Sequence, residues 1–326
     1  MKKHLIAAAV AAAVTVPAMA QNVTMYGIFD VNWTALDTDG AGTASAMGSS
    51  ALATSRFGVR GSEDLGGGLK AEFQLEGTLY PETGTLGKTT TSGTTESLSN
   101  FDREAWVGFA GGFGAVRFGT SDVTNANNID SRVSQMGDLG LISELGTDQK
   151  KVVRYTTPKF GNFQAEIGTA SPNATTTNEN TTNRITALFA SYEDGAFGAY
   201  LGHEINKVNS SFDQKQTTLG AKYDFGIASA GLVYATRDGA TAAANDFDQW
   251  VLSGAVPLSN GYKLHAGYET YSTDTTASTS DFKALTLAVT KTLSKRTSLY
   301  AAYVDKDFDT TTADTKQYSV GVLHSF

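Results

Sequence analysis

The feature that most constrains this chain is a rhythm of short alternating runs. Sixteen can be read: Val23–Ala35, Ser55–Glu63, Leu69–Tyr80, Phe101–Ala110, Ala115–Thr120, Lys150–Thr156, Phe163–Ala170, Arg184–Glu193, Phe197–Lys207, Gln216–Asp224, Ala228–Arg237, Phe247–Val256, Tyr262–Ser272, Asp281–Leu293, Ser298–Phe308 and Lys316–Phe326. Most are close to the 9–11 residues that a tilted strand needs to cross a bilayer. The connectors alternate in kind. LGGG after Asp64, GGFG at 111–114, PKFGN at 158–162 and DGAFG at 194–198 are short and turn-like. Leu36–Thr54, Pro81–Asn100, Ser121–Gln149 and Ser171–Asn183 are long and polar, with threonine-rich tracts. Short turns at one end and long loops at the other are the asymmetry of an outer-membrane barrel.

The period within the runs is two, the period of a strand with unlike faces. In TSRFGVRGSEDLGGGLKAEFQLEG (54–77), Arg56 and Arg60 alternate with Phe57 and Val59. A strand with arginines on one face and apolar residues on the other requires two different solvents. A closed barrel supplies them, with lipid outside and water inside. An even strand count fits closure, because unpaired strand edges are forbidden in hydrocarbon, and about sixteen strands leave an aqueous channel. Aromatics near run ends, among them Tyr155, Phe160, Phe163, Tyr192, Phe197, Tyr223, Phe225, Tyr262, Tyr268, Tyr271, Tyr300 and Tyr303, suggest belts at the two membrane interfaces.

The first twenty residues, MKKHLIAAAVAAAVTVPAMA, carry two lysines, an apolar run from Leu5 to Val16 and Ala18-Met19-Ala20. This is the plan of a secretory signal peptide; the apolar run falls short of the roughly 20 residues of a spanning helix. Residues 1–20 are therefore expected to be a signal peptide and 21–326 a single barrel domain. The chain has 25 Lys and Arg against 33 Asp and Glu, a net charge of −8. Without Lys2 and Lys3 the balance is 23 against 33, or −10, which argues against nucleic acid as a partner. Cysteine is absent, so neither disulfides nor thiolate chemistry are available. His203, His265 and His324 are widely spaced and lack metal-ligand spacing. No GxSxG, P-loop or HExxH occurs. No catalytic residue, metal or cofactor is expected. A barrel enzyme would need an acid or serine–histidine dyad at the rim, and a soluble β protein or adhesin would not need connectors that alternate so regularly.

Jointly, VTMYGIFDVNW (23–33), SRFGVRGSEDLGGGLKAEFQLE (55–76), FDREAWVGFAGGFGAVRFGT (101–120), VVRYTTPKFGNF (152–163), SKRTSLYAAY (294–303) and VGVLHSF (320–326) resemble the general porins of Gram-negative bacteria, of the β-proteobacterial type. Leu323 stands where members often carry arginine. The resemblance implies an all-β fold, a 16-stranded antiparallel transmembrane barrel with short periplasmic turns and long extracellular loops. It implies a homotrimer in the cell outer membrane, among lipids and lipopolysaccharide, that passes ions and small hydrophilic solutes by diffusion. It also implies that the third long connector, Ser121–Gln149, folds into the lumen. That connector carries Asp122, Asp130, Asp138, Glu144 and Asp148 against Arg132 alone. By type and position Arg56, Arg103 and Arg154 match the family's basic constriction wall, with Arg60 and Arg117 as further candidates; Asp122, Asp130, Asp138 and Glu144 are the candidate acids opposite. Phe326 resembles the terminal signal read by barrel-assembly machinery. A basic wall at the narrowest point favours anions, since water there screens least.

Overall fold

The last strand pairs with the first, and that seam decides the architecture. The computed structural model describes residues 22–92, 95–121, 125–140, 151–170, 184–207, 213–239, 246–273, 281–309 and 313–326; the expected signal peptide lies outside them. The strands are β1 (Thr24–Thr38), β2 (Gly42–Ser49), β3 (Arg56–Gly66), β4 (Leu69–Tyr80), β5 (Thr85–Leu86), β6 (Lys88–Ser92), β7 (Thr95–Ser99), β8 (Glu104–Gly111), β9 (Gly114–Thr120), β10 (Val152–Thr156), β11 (Phe163–Ala170), β12 (Arg184–Asp194), β13 (Phe197–Lys207), β14 (Asp213–Asp224), β15 (Ser229–Asp238), β16 (Phe247–Pro257), β17 (Tyr262–Thr273), β18 (Phe282–Thr292), β19 (Thr297–Phe308) and β20 (Thr315–Ser325). Sixteen of them, all but β2, β5, β6 and β7, form one antiparallel ring. It closes where Ile28 to Thr38 of β1 meet Ser325 to Thr315 of β20. Phe326 lies on the seam: its N–H donates to the Gly27 carbonyl at 3.1 Å, and its ring packs 5.6 Å from that of Phe29.

Every run read from the sequence corresponds to a ring strand, and three coincide to the residue: Leu69–Tyr80, Phe163–Ala170 and Phe197–Lys207. The long connectors hold more order than expected. In Leu36–Thr54, β2 pairs with the upper half of β1 while β3 takes the lower half. Pro81–Asn100 contains β5 and the β6–β7 hairpin.

The ring is inside out relative to a soluble protein. On β16, Trp250 and Leu252 are 47% and 55% exposed, while their neighbour Gln249 is 1% exposed. The alternation on β3 places Phe57 and Val59 outside and Arg56 and Arg60 on the lumen face, opposite Thr78 and Gln74 of β4. Phe160, Phe163, Tyr192, Phe197, Tyr223, Phe225 and Tyr262 are exposed at the short-turn end, as an interfacial belt requires. Two aromatics depart from the belt expectation: Tyr271 packs on the cluster beneath the loop helix and Tyr300 is buried on the inner face. At the short-turn end Gly226 takes a positive φ of 79° while its N–H donates to the Asp224 carboxylate at 2.8 Å.

Inside the ring, among the described residues, lies one short helix, α1 (Ala126–Val133). Eight residues cannot hold a helix alone in water. Ala126, Ile129 and Val133 make a three-and-four-spaced apolar stripe, fully buried against the wall with Val233, Ala235 and Val251. Burying an Ile or Val side chain contributes roughly 1.5–3 kcal/mol, so the wall supplies the stability that the helix lacks. The wall is cut to receive it. A Cβ on Gly220 would lie 2.4 Å from Ile129, and one on Gly231 would lie 2.1 Å from the Val133 carbonyl.

Gly231→Val should therefore destabilise by the roughly 1–3 kcal/mol typical of overpacking. Gly112→Ala, where a Cβ meets nothing within 4 Å, should not. The thermal unfolding midpoints of the two variants in detergent check this.

Candidate functional site: the lumen constriction

The in-turned segment is tied along the inner wall strand by strand. The Asn125 backbone N–H donates to Glu204 of β13, and its side-chain amide donates to the Leu188 carbonyl of β12 at 2.9 Å. Further on, Gln135 accepts from Ser229 of β15 at 2.7 Å, donates its N–H to Ser253 of β16 at 3.0 Å, and its carbonyl accepts from His265 of β17 at 2.6 Å. A short 3-10 turn, Gly137–Gly140, then brings Asp138 to Thr54, whose hydroxyl donates to its carboxylate at 2.6 Å. Among the described residues, this segment crosses the lumen from β12 to the stretch before β3.

Across from it stands the charged wall. Arg56, Arg103 and Arg154 line one lumen space of about 560 Å³, together with Gln74, Glu76 and Glu104. From the loop side Asn127, Asn128, Asp130, Ser131, Arg132 and Asp138 face the same space. Three of the four arginines foremost in the sequence reading, and two of the four acids, thus meet at one level. Arg60 does not line this space; it sits over the Tyr26 ring at 5.0 Å. Arg117 stacks on Trp106 at 4.3 Å, next to Arg154 across the β9–β10 ladder. Asp122 and Glu144 lie outside the described residues, as does Asp148.

The sequence reading missed the wall's own acids. Arg103 is paired with Glu76 at 2.7 Å, and Arg154 with Glu166 at 2.7 Å. Ser121 accepts from Arg154 at 3.0 Å and donates to Glu104 at 3.3 Å. Such pairs hold guanidinium groups that would otherwise repel each other. A signal was present: Gln74, Glu76 and Thr78 alternate with Leu75 and Gly77 on one strand, which is lumen parity. Arg56 differs from its neighbours. Among the described residues it has no carboxylate within 4 Å, and Glu76 and Asp138 act on it only at longer range.

The two loop acids among the described residues are not free counterions either. Asp138 is engaged by Thr54. Asp130 is 2% exposed, and its Oδ1 has no hydrogen-bond partner among the described residues. Burial first, then the charges of Glu269 and Asp138, push its carboxyl up to about 8. At neutral pH this side chain is predominantly protonated, so it does not oppose the wall.

The whole design has known counterparts. A family model described as Gram-negative porin matches residues 7–311. The chain belongs to the Gram-negative porin family. It is 35% identical over 257 residues to outer membrane porin protein 32 of Delftia acidovorans, covering 73% of this chain and 70% of that one. It is 28% identical over 278 residues to an outer membrane porin protein of Bordetella pertussis, with the same shares. Among solved structures, an anion-selective porin from Comamonas acidovorans superposes with a TM-score of 0.78 at 26% identity, over 94% of this chain and 100% of that chain. The trimer form of OmpT from Vibrio cholerae shares the fold, with a TM-score of 0.64 at 16% identity over 94% and 100%. This porin is thus an outer-membrane channel that passes ions and small hydrophilic solutes by diffusion.

The raised Asp130 carboxyl gives the loop a pH dependence. Released from the wall, the group loses its proton near the ordinary 3.8; packed, it keeps it until about 8. Between those values the packed state holds the extra proton, so loop stability is full at low pH, falls as pH rises and levels above about 8. Amide exchange in α1, corrected for the intrinsic rate, should accelerate from about pH 5 to about pH 8. Asp130→Asn should flatten that dependence.

Proposed function

We propose that the channel prefers anions and that Arg56 sets the preference. The observation carrying this reading is the inequality among the arginines. Arg103 and Arg154 each have a carboxylate at 2.7 Å, while Arg56 has none within 4 Å among the described residues. A charge in a narrow space walled by protein is screened less than one at the barrel mouth. Its sign at the constriction therefore outweighs the net −10 of the chain beyond residue 20. With Asp130 neutral, Asp138 is the loop carboxylate that answers the wall among the described residues, and it acts on Arg56 only from beyond 4 Å. The anion-selective porin from Comamonas acidovorans, which shares the fold, fits the same reading.

The remaining assignments belong to this proposal. Arg60 and Arg117 extend the basic surface toward the periplasmic side, and Asp122 and Glu144, outside the described residues, belong to the acidic loop of the constriction. The protein works as a homotrimer embedded in outer-membrane lipid and lipopolysaccharide; the trimer form of the similarly folded OmpT supports this. Residues 1–20 are removed on export, and Phe326, seated on the closing seam, serves as the assembly signal. The protein acts without catalysis or a cofactor. Its histidines support this, since each is engaged separately: His203 with Thr217, His265 with Gln135 and Thr290, and His324 with Thr297.

Planar-bilayer recording in a salt gradient tests the reading. Wild type should open in steps, with a reversal potential on the anion side. Arg56→Ala should move it toward cations further than Arg103→Ala or Arg154→Ala. Glu76→Gln, which releases Arg103, should move it the other way. An unchanged potential in Arg56→Ala would remove the assignment while leaving the channel, and no openings from a folded preparation would remove the channel.

A further inference from the structure

The constriction depends on where the in-turned loop stops, and a buried residue on the inner face of β1 stands behind that stop. Asp30, on β1, is fully buried. Its carboxylate receives three donors: the Tyr300 hydroxyl of β19 at 2.5 Å on Oδ1, and the backbone N–H groups of Leu52 and Ala53 at 2.6 and 2.8 Å on Oδ2. Its backbone is engaged as well. The Asp30 N–H donates to Ser55 Oγ at 2.8 Å, and its carbonyl accepts from Ser55 Oγ at 3.1 Å and from the Ser50 N–H at 3.0 Å. Residues 50–55 are thereby bracketed at both ends and in the middle by a single residue.

The other side of that bracket holds the loop. The Asp138 N–H donates to the Leu52 carbonyl at 3.0 Å, and the Thr54 hydroxyl donates to the Asp138 carboxylate at 2.6 Å. Gly137, at a φ of 62°, passes so close that a Cβ would lie 2.2 Å from the Leu52 carbonyl. Leu52, Ala53 and Thr54 also line the lumen space beside Arg56.

We propose that Asp30 is the positioning residue of the constriction: through residues 52–54 it fixes the turn at Gly137–Asp138 at its distance from the Arg56 wall. The inference rests on the channel reading above. The chemistry suits the role. A buried carboxylate is costly unless its lone pairs are filled, and charge-assisted hydrogen bonds are roughly twice as strong as neutral ones. An amide in its place can keep its oxygen on the two backbone N–H groups and donate its NH₂ to the Tyr300 hydroxyl, which accepts as well as donates, but it gives up the charge that strengthens all three bonds. Asp30→Asn therefore weakens the bracket and keeps the shape of the side chain.

The test uses the absence of native cysteine. The full chain carrying Thr54→Cys and Asp138→Cys should form a disulfide readily under mild oxidation in detergent. Adding Asp30→Asn should slow that bridging severalfold. In planar bilayers, Asp30→Asn alone should give a noisy open level with a reversal potential nearer zero, and the oxidised bridge should restore the quiet level until dithiothreitol is added. Equal bridging rates with and without Asp30→Asn would overturn the proposal, as would noise that persists after the bridge has formed. If Asp30→Asn fails to fold, Tyr300→Phe removes one donor and leaves the other two; it should slow bridging to a smaller degree, and a wild-type rate would overturn the proposal. The bridging rate decides the question even if no channel opens, whereas silent wild-type channels would count against the channel reading alone.

Discussion

Everything here follows from backbone polar groups that must be satisfied where no water is available. In hydrocarbon an open sheet edge costs several kcal/mol for each unpaired group. Pairing β1 with β20 from Ile28 to Thr38 leaves the ring no edge. Once the ring is closed, the two faces of every strand meet different solvents. The side-chain period of two then becomes the code for the whole molecule: Leu252 and Trp250 go to lipid, and Gln249 goes inward.

The same logic explains the loop. A short helix placed in a water-filled lumen would not persist without an apolar surface to cover. The wall provides one locally, through Val233, Ala235 and Val251, and clears space with glycines at 220 and 231. Polar ties from one wall strand after another then hold the backbone of a segment that has little regular structure. The charged side of the pore is built in the opposite manner, from arginines restrained by cross-strand carboxylates. Between a loop held by packing and a wall held by ion pairs, Arg56 retains a charge that no near carboxylate compensates among the described residues.

The strand order and the closed barrel were legible because the period of two and the alternating connector lengths are local signals. Leu69–Tyr80 reads as a strand from its own residues. The loop helix was not legible, since Ala126, Ile129 and Val133 form too brief a stripe among asparagines to register as a period. The wall's ion pairs were missed for a different reason. Arg103 and Glu76 are 27 residues apart and meet only across a ladder, so a strand read alone shows charges without partners. Asp30 looked like any polar residue on a lumen face; its role appears only when β1, β19 and residues 50–55 are seen together. Tyr271 and Tyr300 stood among the belt aromatics by position along their runs, and strand parity assigns both to the lumen.

The central claim is that the loop rests on the wall while the channel conducts. The most direct measurement is single-channel conductance of the Ile129→Cys/Gly220→Cys chain before and after oxidation, because these positions face each other across the helix–wall contact and no native cysteine competes. The bridge should form readily and leave conductance and selectivity unchanged. A bridge that alters the open level would show that the conducting channel holds its loop elsewhere and would contradict the account.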